Sequence, residues 1–181
     1  MFQITTQPTQ WFSLKICLLA ILVSGFHFSQ AADWPQWMGP DRASIWQEDG
    51  IVESFPEGGL KRIWRVKVGL GYSGPAVADG KVYLFDYVKK EGQLKNNPSG
   101  KNLLEGRERL LCLDAATGAT EWVYDYLQYY NLSYAAGPRS TPTVHQDKVY
   151  ILGAEGRLSC LSAKDGKLIW QVFANTSSFI C

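Results

Sequence analysis

Residues 140–170 read STPTVHQDKVYILGAEGRLSCLSAKDGKLIW, and the chain carries an earlier, interrupted copy of the same pattern. The earlier copy opens as GPAVADGKVYLF at 74–85 and resumes as LLCLDAATGATEW at 110–122. Pro75 to Tyr83 and Pro142 to Tyr150 both span eight residues, while Cys112 to Trp122 and Cys160 to Trp170 both span ten. A repeat on this scale is read before any local feature, because each copy is one supersecondary unit that buries its faces against its neighbours.

Within each copy, short runs rich in Val, Tyr, Leu and Ile are separated by tight-turn residues, the mark of antiparallel hairpins. Asp79-Gly80 tolerates the positive φ of a two-residue turn between Val77 and Val82. Thr117-Gly118 and Asp165-Gly166 serve in the same way before the runs that end in Trp122 and Trp170. Four strands are expected per copy, at about 76–78, 82–85, 110–114 and 120–124 in the first. Several are apolar on both faces, as in Lys81-Val82-Tyr83-Leu84-Phe85. Hairpin turns exclude the parallel sheet that such runs would otherwise suggest, since parallel neighbours need long crossovers. Antiparallel sheets buried on both faces must be stacked, and four-stranded units stacked around an axis make a β-propeller. The expected fold is all-β: a partial propeller of about two complete four-stranded antiparallel blades plus an N-terminal strand segment.

The flanks divide the rest. Lys15 precedes the apolar run 16–28, and Ser29-Gln30-Ala31 presents small residues at the positions a signal peptidase checks, so 1–31 reads as an export signal. That run is short for a bilayer span, which needs about 18 or more apolar residues, so the chain is expected in the periplasm or outside the cell with no stable membrane span after cleavage. Residues 32–59 read as an N-terminal extension and 60–124 as the first blade, with 86–109 a polar loop insertion projecting from one rim. Residues 125–172 read as the second blade and 173–181 as the truncated start of another. The aromatic stretch 124–134, YDYLQYYNLSY, is expected to pack between blades, with a partner surface as the alternative.

Beyond the export segment the charges balance: 18 Lys and Arg less Lys15 leaves 17, against 17 Asp and Glu. A neutral chain without a basic run gives no reason to expect a nucleic-acid partner. Cys112, Cys160 and Cys181 are an odd number in an oxidising compartment, so no disulfide framework is implied, and Cys112 and Cys160 read as small buried hydrophobes.

These motifs resemble the pyrroloquinoline-quinone-type (PQQ-like) propeller repeat, whose tryptophan-docking motif is Ala-x-Asp-x-x-Thr-Gly-Lys-x-x-Trp. Asp114, Thr117, Gly118 and Trp122 match it in the first copy, with Cys112 in place of Ala and Ala119 in place of Lys. In the second copy Gly166, Lys167 and Trp170 match, while Cys160, Ser162 and Asp165 depart. The opening DWPQWMGPDR, 33–42, is similar to the start of many secreted bacterial members. The resemblance implies that each Trp, Trp64 included, packs near the Gly turn of the neighbouring blade. Burying about 200 Å² of indole at about 25 cal/mol per Å² is worth up to about 5 kcal/mol. Closed propellers have about four to eight blades, so missing blades or self-association are expected to complete this one.

Chemistry is sparse. Gly69-Leu70-Gly71-Tyr72-Ser73-Gly74 fits G-x-G-x-x-G, but the fingerprint binds pyrophosphate only when a helix begins there, and Pro75 leads into a strand and turn. His145 is the sole histidine after the signal, and Asp79, Asp147 and Asp165 sit at turns, so neither a triad nor a carboxylate pair is indicated. Quinoprotein dehydrogenases, the enzymatic branch of the resembled fold, use adjacent cysteines, and this chain has none. No catalytic residue, metal or cofactor is therefore expected, PQQ and calcium belonging only to a complete parent. The expected role is a rigid, non-catalytic platform for a protein or cell-envelope partner; the alternatives are a fragment of a quinone-dependent oxidoreductase and a truncated product without independent function.

Overall fold

A computed structural model describes residues 32–48, 50–94 and 100–174. Residues 1–31, expected to be an export signal, and the end of the chain from 175, expected to begin another blade, lie outside these residues, and Cys17 and Cys181 with them. The described residues contain no helix and form two four-stranded antiparallel sheets, each a simple meander. The first contains β1 (Ala76–Ala78), β2 (Lys81–Glu91), β3 (Asn102–Asp114) and β4 (Thr120–Leu132). The second contains β5 (Thr143–His145), β6 (Lys148–Leu152), β7 (Arg157–Ser162) and β8 (Leu168–Phe173). Both are propeller blades stacked face to face.

The equivalence of the copies extends to register. Ala76, Tyr83, Cys112 and Trp122 form one row across the first sheet, and Thr143, Tyr150, Cys160 and Trp170 form its counterpart in the second. Each sheet has an irregularity just after its cysteine, between Cys112 and Leu113 and between Cys160 and Leu161. The β1–β2 turn has positive φ at both Asp79 and Gly80, as a twist-matched hairpin requires. Gln146 and Asp147 adopt the same conformation in the second sheet without a glycine. The main core lies between the sheets, where Tyr83, Phe85, Leu110 and Cys112 face Val149, Ile151 and Leu161.

Residues 86–109 are not the loop excursion that their polarity suggests. β2 continues to Glu91 and β3 begins at Asn102, so most of the insertion is hairpin, paired from Asp86↔Arg109 to Glu91↔Glu105. β4 likewise runs eight residues past Tyr124, paired with β3 as far as Asn102↔Leu132, which carries the first blade beyond 124. A second core explains the extension: Tyr87, Leu104, Tyr130 and Leu132 bury together, with Tyr87 and Tyr130 stacked at 4.1 Å. Its polar neighbours find partners inside the sheet, and buried polar groups that are fully hydrogen-bonded do not force a chain into loop.

The glycine-rich stretch 69–74 continues the line of β1 alongside β2. Leu70 exchanges both backbone hydrogen bonds with Tyr87, and the Gly69 amide donates to Asp86 Oδ2 at 2.6 Å. The Gly69 and Leu70 amides are thus engaged by β2, and the Tyr72 amide by the Pro138 carbonyl. The N-terminal extension covers the inner edges of both sheets: Trp34 pairs with Val77, and the Val144 amide donates to the Pro35 carbonyl.

Cys112 is fully buried, and burial pushes its thiol up to about 11. Cys160 is also buried, and both are free thiols. Iodoacetamide at mildly alkaline pH is therefore expected to leave Cys112 unmodified in the native chain and to label it completely in denaturant, which peptide mass spectrometry reads directly; rapid native labelling would refute the packing.

Candidate functional site

The turn that follows β3 shows why the repeat motif uses its residue types. Asp114 Oδ1 accepts from the Thr117 amide at 2.7 Å and from the Thr117 hydroxyl at 2.6 Å, and the Gly118 amide closes the turn on the Asp114 carbonyl. The Thr117 hydroxyl donating to it holds the Asp114 carboxyl below its usual range. In the second sheet the acid and the hydroxyl change places. Ser162 stands where Asp114 does and Asp165 where Thr117 does, yet the Gly166 amide still closes on the Ser162 carbonyl. Lys167 and then Ser162, both hydrogen-bonding to it, lower Asp165 to about 2. What reads in sequence as two departures from the motif is one carboxylate–hydroxyl pair with its ends exchanged.

These turns present Gly118 and Gly166 at φ +72 and +69, and each lies flat beneath an indole. A Cβ on Gly118 would lie 2.7 Å from Trp64 Cδ2, and one on Gly166 would lie 2.5 Å from Trp122 Cε3. The indole N–H groups complete the dock: Trp64 Nε1 donates to the Ala115 carbonyl at 2.9 Å, and Trp122 Nε1 donates to the Ala163 carbonyl at 3.1 Å. Trp122 thereby joins the first sheet to the second. Trp64, outside the named strands, makes the same contact on the first sheet from the other side. Trp170 lies beside Tyr150 and stays 41% exposed.

A buried carboxylate that sequence reasoning missed strengthens the joint. Glu108 is fully buried on β3 and accepts from Tyr130 Oη at 2.6 Å, from Tyr126 Oη, and across the sheets from the Ala154 amide at 2.8 Å. Desolvation first, and the Glu108 charge second, raise both phenols far above their ordinary range. The Arg157 guanidinium lies 4.2 Å over the Tyr126 ring, placing a cation near the network. Asp86, also buried, is held by Arg109 through both oxygens. The signal for the β4 partners was the alternation Trp122, Tyr124, Tyr126, Tyr130, Leu132, broken at Gln128, whose period of two continues the strand; no local pattern marks Glu108 or Asp86.

The opposite face of the extended hairpin is wet and apolar together. Leu103 is 74% and Tyr129 60% exposed, and Val88, Val123 and Leu127 stand out beside them. The charges between are paired, Arg107 with Asp125 and Lys90 with Glu105. Of the aromatic stretch 124–134, Tyr126 and Tyr130 thus face the core and Tyr129 faces outward. His145 ends β5 at the surface.

Cys112 and Cys160 lie in separate sheets, and among the described residues no three His, Cys, Asp or Glu side chains converge on a metal-sized site. Among the described residues no helix is long and apolar enough to cross a membrane.

The family described as outer membrane protein assembly factor BamB matches residues 48–179. The crystal structure of BamB from Moraxella catarrhalis is similar at 19% identity and a TM-score of 0.31, over 61% of this chain and 35% of that one. The chain thus spans about a third of that protein's length. No protein of curated function matches.

Two variants test the dock. Trp122→Ala is expected to cost about 3 kcal/mol, and Gly166→Ala more than about 1 kcal/mol from its backbone conformation, both read as lower urea midpoints. Unchanged midpoints would show that the indole–glycine contact bears no load. For the buried acid, Glu108→Ala is expected to cost about 3 kcal/mol by stranding two hydroxyls and an amide, and Glu108→Gln about 1 kcal/mol. Equal losses for the two in the same denaturation assay would refute the network.

Proposed function

From the premise that this chain belongs to the BamB-described family of PQQ-type repeats, we propose that it is an exported, non-catalytic propeller module that holds a protein of the outer-membrane assembly machinery in the cell envelope. The observation that carries this reading is the outer face of the extended hairpin. Its apolar side chains, Val88, Leu103, Val123, Leu127 and Tyr129, are exposed while the charges among them are paired within the sheet. An exposed face on which apolar side chains alternate with paired charges gains from burial of the apolar groups and keeps polar ones for a rim, which suits a protein interface. Tyrosine adds a large, stiff contact with a polar tip.

The rigid support is the other half of the reading. The hairpin is longer than any in the second sheet, and its inner face is anchored by Tyr87, Tyr130 and Glu108. A platform so anchored presents its patch without an ordering cost on binding. Domain bounds follow the sheets in this proposal, with the first blade closing at the end of β4 and the second opening at β5. The module works without a resident quinone or calcium.

Photo-crosslinking tests the surface. A photoreactive residue at Tyr129, in cells exporting the chain, is expected to capture a protein of the outer-membrane assembly machinery, whereas one at Lys164, exposed on a turn of the second sheet, captures none. Capture of no such protein at Tyr129, or equal capture at both positions, overturns the assignment.

A further inference from the structure

We propose that the partner of the hairpin surface is taken up by strand addition: an extended segment of that protein pairs with the free edge of β4 between Val123 and Tyr129. The proposal rests on the envelope-partner reading and names the chemistry by which the same surface grips.

β4 is the last strand of its sheet and pairs only with β3. Two contacts fix the direction of its backbone groups. The Gln128 carbonyl accepts from Tyr87 Oη of β2 at 3.1 Å, on the β3 side, whereas the Asn131 amide turns the other way and donates to Glu155 Oε1 at 3.0 Å. Alternation along the strand then directs the N–H and C=O groups of Val123, Asp125, Leu127 and Tyr129 away from β3, in the plane of the sheet. Side chains touch two of these carbonyls, Arg107 Nη2 reaching Asp125 at 3.5 Å and Gln128 Nε2 reaching Tyr129 at 3.1 Å. None of the four amides meets an acceptor among the described residues. Sheets that stack on a blade cover its faces, while a ladder grows in the sheet plane, so this edge is open whatever lies over either face.

Natural edge strands are blunted by shortness, Pro, Lys, inward charge or a bulge. Residues 123–129 read VYDYLQY, with no Pro, Gly or Lys, and the pairing with β3 runs without irregularity from Trp122 to Leu132. The one charge in the segment, Asp125, is paired by Arg107 from β3. The counterpart edge in the second sheet, β8, has six residues where β4 has thirteen.

The side chains agree with the backbone. Val123, Leu127 and Tyr129 are exposed, so the residues with free backbone groups also carry the outer apolar face. A strand added beside them lies about 4.8 Å away and sets alternate side chains against that face. The occupant is thus an extended segment of about seven residues, apolar at every second position, held by main-chain hydrogen bonds and selected by those side chains.

Crosslinking from a photoreactive residue at Tyr129, in cells exporting the chain, tests this with two further variants. Leu127→Ala and Leu127→Pro lose the same side chain, and the proline also loses the outward N–H at a position where an edge strand tolerates it. The proline variant is expected to capture about tenfold less of the assembly-machinery protein than the alanine variant, with unchanged circular dichroism. In the crosslinked complex of the chain without either variant, amide exchange at Val123, Asp125 and Leu127 is expected to be at least about tenfold slower than in the free chain, a measurement that decides the matter if the proline variant fails to fold. Equal capture by the two folded variants, or exchange as fast in the complex as in the free chain, overturns strand addition and leaves the surface reading standing. Capture of a second copy of this chain in place of the machinery protein, or no capture at all, overturns both.

Discussion

The indole of Trp122 lies over Gly166 with its N–H on the Ala163 carbonyl, and the relation of the two sheets depends on that contact. The ring brings the largest apolar area of any side chain, and the N–H would be costly to bury without an acceptor. Both demands are met by one feature, a turn whose glycine has no side chain and whose carbonyl three residues earlier faces outward. The turn must keep its shape for this to hold. Asp114 with Thr117, and Ser162 with Asp165, are two ways of tying it by one acid and one hydroxyl.

Around this dock the molecule satisfies polar groups inside the sheets. Glu108 spans the joint by taking an amide from the second sheet and two phenols from its own. Asp86 ties Arg109 and the Gly69 amide into β2, which places the strand-like stretch before β1. A buried carboxylate that accepts three hydrogen bonds from separate elements resists movement, so such groups fix the joint as well as stabilise it. The long hairpin is therefore held on its inner face by the β6–β7 turn of the second sheet, and its other face remains exposed.

The repeat makes the two sheets equivalent in register but unequal in surroundings. Matching residues, Trp122 and Trp170 or Phe85 and Leu152, are covered in one sheet and exposed in the other. Sequence chemistry sets what each face can accept, and the neighbour present decides what is buried.

Fold class, strand count and turn positions were legible in the sequence, because hairpin chemistry is local and the repeat states it twice; the pairing of tryptophan with glycine was implied only by the family resemblance. Ala76–Ala78 was placed to the residue, since a Pro before it and Asp-Gly after it leave no freedom. The extent of β2, β3 and β4, the burial of Glu108 and Asp86, and the exchange of roles between Ser162 and Asp165 were decided by tertiary structure. In each case a polar side chain reads as surface or as a mismatch until its partner, 18 or more residues away for Tyr126 and Arg109 or a turn away for Ser162, is brought beside it. Local sequence reports a group's need for a hydrogen bond, and only the folded chain shows whether protein or water meets it.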